Sequence, residues 1–321
     1  MMMQQRSARR PWVVRIGMTV LLLSVAVVAT VAYLGRDWIG NGIAAAPNAG
    51  RTFRFEDDPQ PADFRALGID EQLRVDVVGT CGRKASLSVW LVEPKTAPRG
   101  TVFVLHGVRS DKYWLKGLAT QVAQQGYRAV LPDLPGHGRS SGDWLTYGAC
   151  EASELKALLD ELTKQGRVSG QVGVVGLSYG AAVGIQFAAV EPRIRAVVAI
   201  APFSSLRTVV PGYVTHYLPV IGQLIPDSFV QQGVDRAGSL GNFEPNAASP
   251  LSAISRTSAQ VLFIHGLADD HIAAAQSRAL HAAAPSHSEL VLVEGDDHFS
   301  IVGDRTHAIQ VRGMQWLQRW L

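Results

Sequence analysis

Apolar residues along this chain fall into short unbroken runs separated by stretches of helical period. Leu73 to Val78 and Ser86 to Val92 flank Gly79, Thr80, Cys81, Gly82 and Arg83, which predicts an opening β-hairpin. Thr101 to Leu105, Tyr127 to Leu131, Val172 to Val175, Ile194 to Ile200, Gln260 to Ile264 and Glu289 to Val293 are continuous apolar runs suited to buried strands. Helices are predicted between them. Trp114 to Gly126 places Leu115, Leu118, Val122 and Ala123 on one face, and Glu151 to Lys164 does the same with Leu155, Leu158, Leu159 and Leu162. Ala181 to Ala189 reads as a small-residue helix. Asp304 to Leu321 reads as an amphipathic closing helix with Val311, Met314, Leu317 and Leu321 inward.

Two stretches depart from this alternation. Residues 1–15 are polar and carry Arg6, Arg9, Arg10 and Arg15, and residues 16–35 then run without a charge. Twenty such residues make about 30 Å of helix, enough to cross a hydrocarbon layer, so a membrane anchor is expected. A cleaved signal peptide is the alternative, with Ala44 to Ala46 as the candidate cut. Either way the arginines stay cytoplasmic and the remainder is extracytoplasmic. Residues 36–70, rich in Gly, Asn, Asp and Pro, read as a linker, and the main domain as 71–321. Between 203 and 258, apolar residues are punctuated by Pro211, Pro219 and Pro226, which predicts short broken helices.

Composition narrows the function classes. A chain of 321 residues, 47% hydrophobic, can bury one large core. The net charge of +3 comes from the four N-terminal arginines: 30 basic residues less 4 leaves 26 against 27 acids. No nucleic-acid footprint follows. No phosphate loop ending in Lys-Ser or Lys-Thr, no His-Glu-x-x-His and no cysteine cluster occurs, so neither a nucleotide nor a metal cofactor is expected.

The chemistry concentrates at Gly176-Leu-Ser-Tyr-Gly180, which sits between an apolar run and a helical pattern. A serine on such a strand-to-helix turn has its hydroxyl pushed out of the sheet, and small residues on either side avoid collision with the neighbouring backbone. Four further segments occur around it: His106-Gly107, Leu131-Pro-Asp-Leu-Pro-Gly-His-Gly-Arg-Ser-Ser-Gly142, His265-Gly-Leu-Ala-Asp269 and Gly295-Asp-Asp-His298. Together, and in this order, they make residues from about Leu73 to Leu321 resemble the α/β-hydrolases, in particular the serine esterase, lipase and thioesterase branch.

That resemblance implies an α/β fold with a mostly parallel sheet of about eight strands, helices on both faces, and 203–258 as a small helical cap over the acyl pocket. It implies Ser178 as nucleophile, His298 as general base and Asp269, rather than its neighbour Asp270, as the orienting carboxylate. His271, His281, His287 and His307 also follow Asp269, but none stands at a strand end. The oxyanion donors would be the N–H groups of Val108, with Arg109 as fallback, and Tyr179. His106, Asp133 and His137 are expected to hold loops in shape. His216 has no partner legible in the sequence. In the family topology Cys81 and Cys150 lie at the same edge of the sheet, so a disulfide between them is expected, compatible with export. The activity implied is hydrolysis of carboxylic or lipid esters through an acyl-enzyme. Thioesterase, peptidase and acyltransferase activities share these residues, and an inactive hydrolase-fold binding module is the non-enzymatic alternative.

Overall fold

The computed structural model describes residues 11–51, 64, 66–301 and 309–321. The basic residues 1–10, the central part of the expected linker (52–63 and 65) and the expected start of the last helix, with His307, lie outside them.

Eight strands form one sheet: β1 Glu71–Val78, β2 Lys84–Val92, β3 Gly100–Leu105, β4 Arg128–Pro132, β5 Gln171–Leu177, β6 Ile194–Ile200, β7 Gln260–Gly266 and β8 Ser288–Val293. Their order is β1-β2-β4-β3-β5-β6-β7-β8. β2 runs antiparallel to both neighbours, and every pairing from β4 onward is parallel. β3, β5, β6 and β7 are buried nearly throughout, which is why they read as unbroken apolar runs rather than alternating ones. Helices α2 Lys116–Gln124, α3 Glu151–Lys164 and α4 Tyr179–Val190 follow β3, β4 and β5. Two apolar clusters, one on each face of the sheet, make up the core.

The inserted cap consists of α5 Leu206–Tyr217, α6 Asp227–Gly241 and the short α7 Pro250–Ile254. Pro211 lies inside α5 without breaking it. Proline removes the N–H that would bond to the carbonyl of Arg207, and the Gln231 side-chain amide donates to that carbonyl instead, at 3.1 Å. α8 Ala275–Ala283 precedes β8, and α9 Met314–Trp320 closes the chain. A π-helical turn at Ile309–Gly313 precedes α9. Its extra residue rotates the buried face, so Ile309, Met314, Trp316 and Leu317 point inward and Val311, expected inside, is exposed.

The N-terminal region departs most from expectation. One helix, α1, runs from Pro11 to Ala44, so residues 36–44 are helical rather than linker. The second half of α1 packs on α6 of the cap, burying Ile39, Ile43 and Ala44. Backbones approach closely there: a Cβ added at Gly233 would lie 2.3 Å from Ile39 Cγ2, and one at Gly40 would lie 2.6 Å from Arg236 Cγ. Arg236 Nε also pairs with Asp37 at 2.8 Å. Beyond the helix, Ala46 N–H donates to Asp143 O, Leu145 N–H donates to Ala44 O, and the Asn48 amide donates to Gly138 O at 2.7 Å. Residues 44–48 are thus stitched to the loop after β4. Among the described residues no helix is long and apolar enough to cross a membrane. The spanning helix expected over 16–35 is therefore not shown; it lies within α1, where the side chains at 25–29, 31 and 32 are outside the described ones.

Cys81 and Cys150 are joined by a disulfide that ties the β1–β2 turn to the start of α3, with Cα atoms 5.7 Å apart.

Candidate active site

β5 ends at Leu177 and α4 begins at Tyr179, leaving Ser178 to make the turn alone. It does so at φ 52° and ψ −114°, a left-handed conformation that costs a residue with a side chain about 1–3 kcal/mol. The surroundings impose it. A Cβ at Gly176 would lie 2.4 Å from Gly180 O, and one at Gly180 would lie 2.4 Å from Leu105 O, so strand, turn and helix pass each other at backbone contact. The serine N–H is fixed by donating to Ile200 O on β6, 2.7 Å away.

His298 comes from the loop after β8. Asp297 shapes that loop by accepting from the N–H groups of Phe299 and Ser300 at 2.9 and 2.7 Å. The imidazole Nε2 lies 3.0 Å from Ser178 Oγ and Nδ1 lies 2.7 Å from Asp269 Oδ2. The three side chains that sequence spaces over 120 residues therefore form one hydrogen-bonded line. Asp269 is buried at the end of β7, where its other oxygen accepts from the N–H groups of His271 and Ile272 at 3.0 and 2.8 Å. Burial pushes its pKa up, but hydrogen bonds from His265 and His298 outweigh this and hold the carboxyl well below the usual range. Asp270 points away to solvent and binds His271 Nδ1 at 2.9 Å.

Of the residues expected to hold loops, His106 and Asp133 are bonded throughout, while His137 has Nδ1 3.1 Å from Pro135 O and a buried Nε2 with no partner among the described residues. His106 Nε2 accepts from Leu134 N–H at 2.9 Å, and its Nδ1 lies 2.8 Å from Gly107 O. Asp133 pairs with the buried Lys112 ammonium and accepts from the N–H groups of Lys112 and Arg139 at 2.9 and 2.8 Å. Val108 lines the cavity beside Ser178, and Tyr179, first residue of α4, has an N–H that no carbonyl of its own helix can accept. Arg109 has φ 58°, and its guanidinium donates to Gly42 O of α1 at 3.0 Å.

Ser178 opens into a largely apolar cavity of about 890 Å³. One wall is α5, with Val210, Tyr213 and Val214, and another is the second half of α1, with Trp38, Ile39 and Ile43. The α1 wall was missed in the sequence. The available signal was Ile39 and Ile43, one helical turn apart amid glycine and asparagine.

Residues 102–309 match the sequence profile described as the Alpha/beta hydrolase family. The esterase YjfP of Escherichia coli is 28% identical over 209 residues, covering 61% of this chain and 79% of that protein. The uncharacterized protein YqkD of Bacillus subtilis is 24% identical over 212 residues, 64% of this chain and 67% of that one. Among solved structures, the esterase Pf2001 of Pyrococcus furiosus superposes with a TM-score of 0.64 at 21% identity, over 85% of this chain and 99% of that one. With the profile match spanning most of the sheet and cap, the chain belongs to the Alpha/beta hydrolase family.

Proposed function

We propose that the protein is a serine esterase that hydrolyses carboxylic esters bearing an apolar acyl group, through an acyl-enzyme. The observation that carries this is His298, which bridges Ser178 and Asp269 at 3.0 and 2.7 Å at the floor of an apolar cavity. Ser178 Oγ attacks the ester carbonyl while His298 Nε2 takes its proton; the same proton then goes to the departing alcohol. Asp269 keeps the Nδ1 proton directed at itself and stabilises the imidazolium. Amide dipoles of Val108 and Tyr179 receive the developing oxyanion without reorganising. Water, activated by His298, then releases the acid.

The apolar walls favour long acyl chains over small polar esters. Trp38, Trp114, Tyr217 and Phe299 line the cavity and are largely exposed, which suits a substrate presented at a lipid or micelle surface. Attachment to a membrane through α1, with the catalytic domain extracytoplasmic, is part of the same proposal. It is supported by the arginines before an uncharged run, by the exposure of Ile16 and Leu21 to Leu23, and by the disulfide. Cleavage near Ala44 to Ala46 would cut a segment bonded into the domain, which favours the anchor over the cleaved signal.

The test is a p-nitrophenyl ester chain-length series on the full chain in detergent. Turnover should rise with acyl length beyond acetate. Ser178→Ala should reduce kcat by about 10⁴-fold or more and Asp269→Asn by about 10⁴-fold, with KM little changed. Undiminished turnover in Ser178→Ala would remove the proposal.

A further inference from the structure

Among the described residues outside the line of Ser178, His298 and Asp269, a second group of titratable side chains converges at the cavity rim. His216 stands in the last turn of α5, while Asp270 and His271 stand in the loop after β7. One ligand atom from each lies within 4.8 Å of the others. His271 Nδ1 is 2.9 Å from one Asp270 oxygen, and His216 Nδ1 is 3.9 Å from the other. The two imidazole rings are 3.8 Å apart, centre to centre. Both histidines are half-buried and the carboxylate is exposed, so an ion can reach the group from solvent.

We infer that His216, Asp270 and His271 form a binding site for a divalent transition cation of the zinc type, and that occupancy restrains catalysis. Two imidazoles and one carboxylate are a borderline-soft donor set that suits Zn²⁺ better than Mg²⁺ or Ca²⁺, which take mainly oxygen. Three protein ligands leave a fourth position for water. The separations exceed those around a bound ion by an amount that side-chain rotation supplies, since His216 and Asp270 bear no other strong contact: His216 meets the edge of Tyr217 at 5.0 Å, and Asp270 is otherwise in solvent.

Placement gives the site its consequence. His216 belongs to the cap and the other two ligands to the sheet's edge, so a shared ion fastens α5 to the rim of the cavity. The ring of His271 also stacks on that of His298, 5.3 Å away and 19° from parallel. A cap fastened there slows entry of substrate to Ser178. The binding half of the inference is independent of the proposed esterase activity; the inhibition half rests on it.

The experiment is calorimetric titration of ZnCl₂ into the metal-free full chain, with ester hydrolysis followed in parallel and reversed by a chelator. Expected are one zinc per chain and a loss of hydrolysis of about tenfold or more from the fastened cap. His216→Ala and Asp270→Asn should each lose the binding and the zinc sensitivity, with metal-free hydrolysis by His216→Ala reporting that the protein is folded. Zinc bound equally by wild type and both variants, or no zinc bound by wild type, overturns the site. Zinc bound at the site with hydrolysis unchanged overturns the restraint while leaving the site. Absence of hydrolysis in the metal-free wild type counts against the esterase reading alone, and the calorimetry still decides the metal.

Discussion

The rings of His106 and His137 meet at 4.9 Å beneath the nucleophile turn, both buried. Burial first, and then the neighbouring His106, lower the His137 pKa from 6.5 to about 3, against smaller opposing pulls from the Pro135 carbonyl and Asp133. His106 is lowered in the same direction, again chiefly by burial. Between those limits the unfolded chain binds a proton that the folded one refuses. The stability held by a neutral His137 is therefore complete above pH of about 6.5 and is lost as pH falls, at up to about 1.4 kcal/mol per pH unit. Urea denaturation at pH 7.5 and pH 5 should show that loss in the wild type and a smaller one in His137→Gln. Equal losses would mean that His137 does not titrate on unfolding. The two histidines matter because the Leu134 N–H needs an unprotonated His106 Nε2, and Leu134 lies in the loop that braces the segment after β3.

At the scale of elements, the contact of α1 with α6 depends on small residues. Gly233→Val would drive a branched side chain into Ile39 and push α1 outward, at a cost of about 1–3 kcal/mol for overpacking. Because Ile39 also lines the cavity, the variant should lose turnover of long-chain esters while keeping that of acetate. A uniform loss across chain lengths would place the α1 wall outside the substrate's reach. The same contact explains what the sequence conceals. Gly176 and Gly180 betray the Ser178 turn because the motif keeps its spacing, although only Gly176 prevents a clash within a few residues and Gly180 makes room for Leu105 O on β3. Gly40 and Gly42 look like a linker because glycine costs an isolated helix about 1 kcal/mol per residue. Here that cost is offset by a partner helix nearly 200 residues away, which no local pattern discloses. Pro211 is similar, since the side chain that rescues its orphaned carbonyl belongs to α6. His216 finds Asp270 and His271 only once the cap is folded over the sheet.

Across the whole molecule, the Cys81–Cys150 bond closes a loop of 69 residues. On the loop-entropy model a bridge of that span stabilises the fold by about 4 kcal/mol. The Cys81→Ala/Cys150→Ala double variant should therefore melt lower by roughly 10 °C, at about 2–4 °C per kcal/mol for a domain of this size. An unchanged melting temperature, read by differential scanning calorimetry, would show that the bridge constrains nothing the packing does not already fix. The long first helix constrains something else. It runs without a break from Pro11 to residues that close one flank of the cavity at Ser178. A trimmed version starting after Ala44, where glycine and alanine invite the cut, would lose that flank and leave the chamber gaping. Trimming has to stop short of Asp37, whose ion pair with Arg236 joins the two helices.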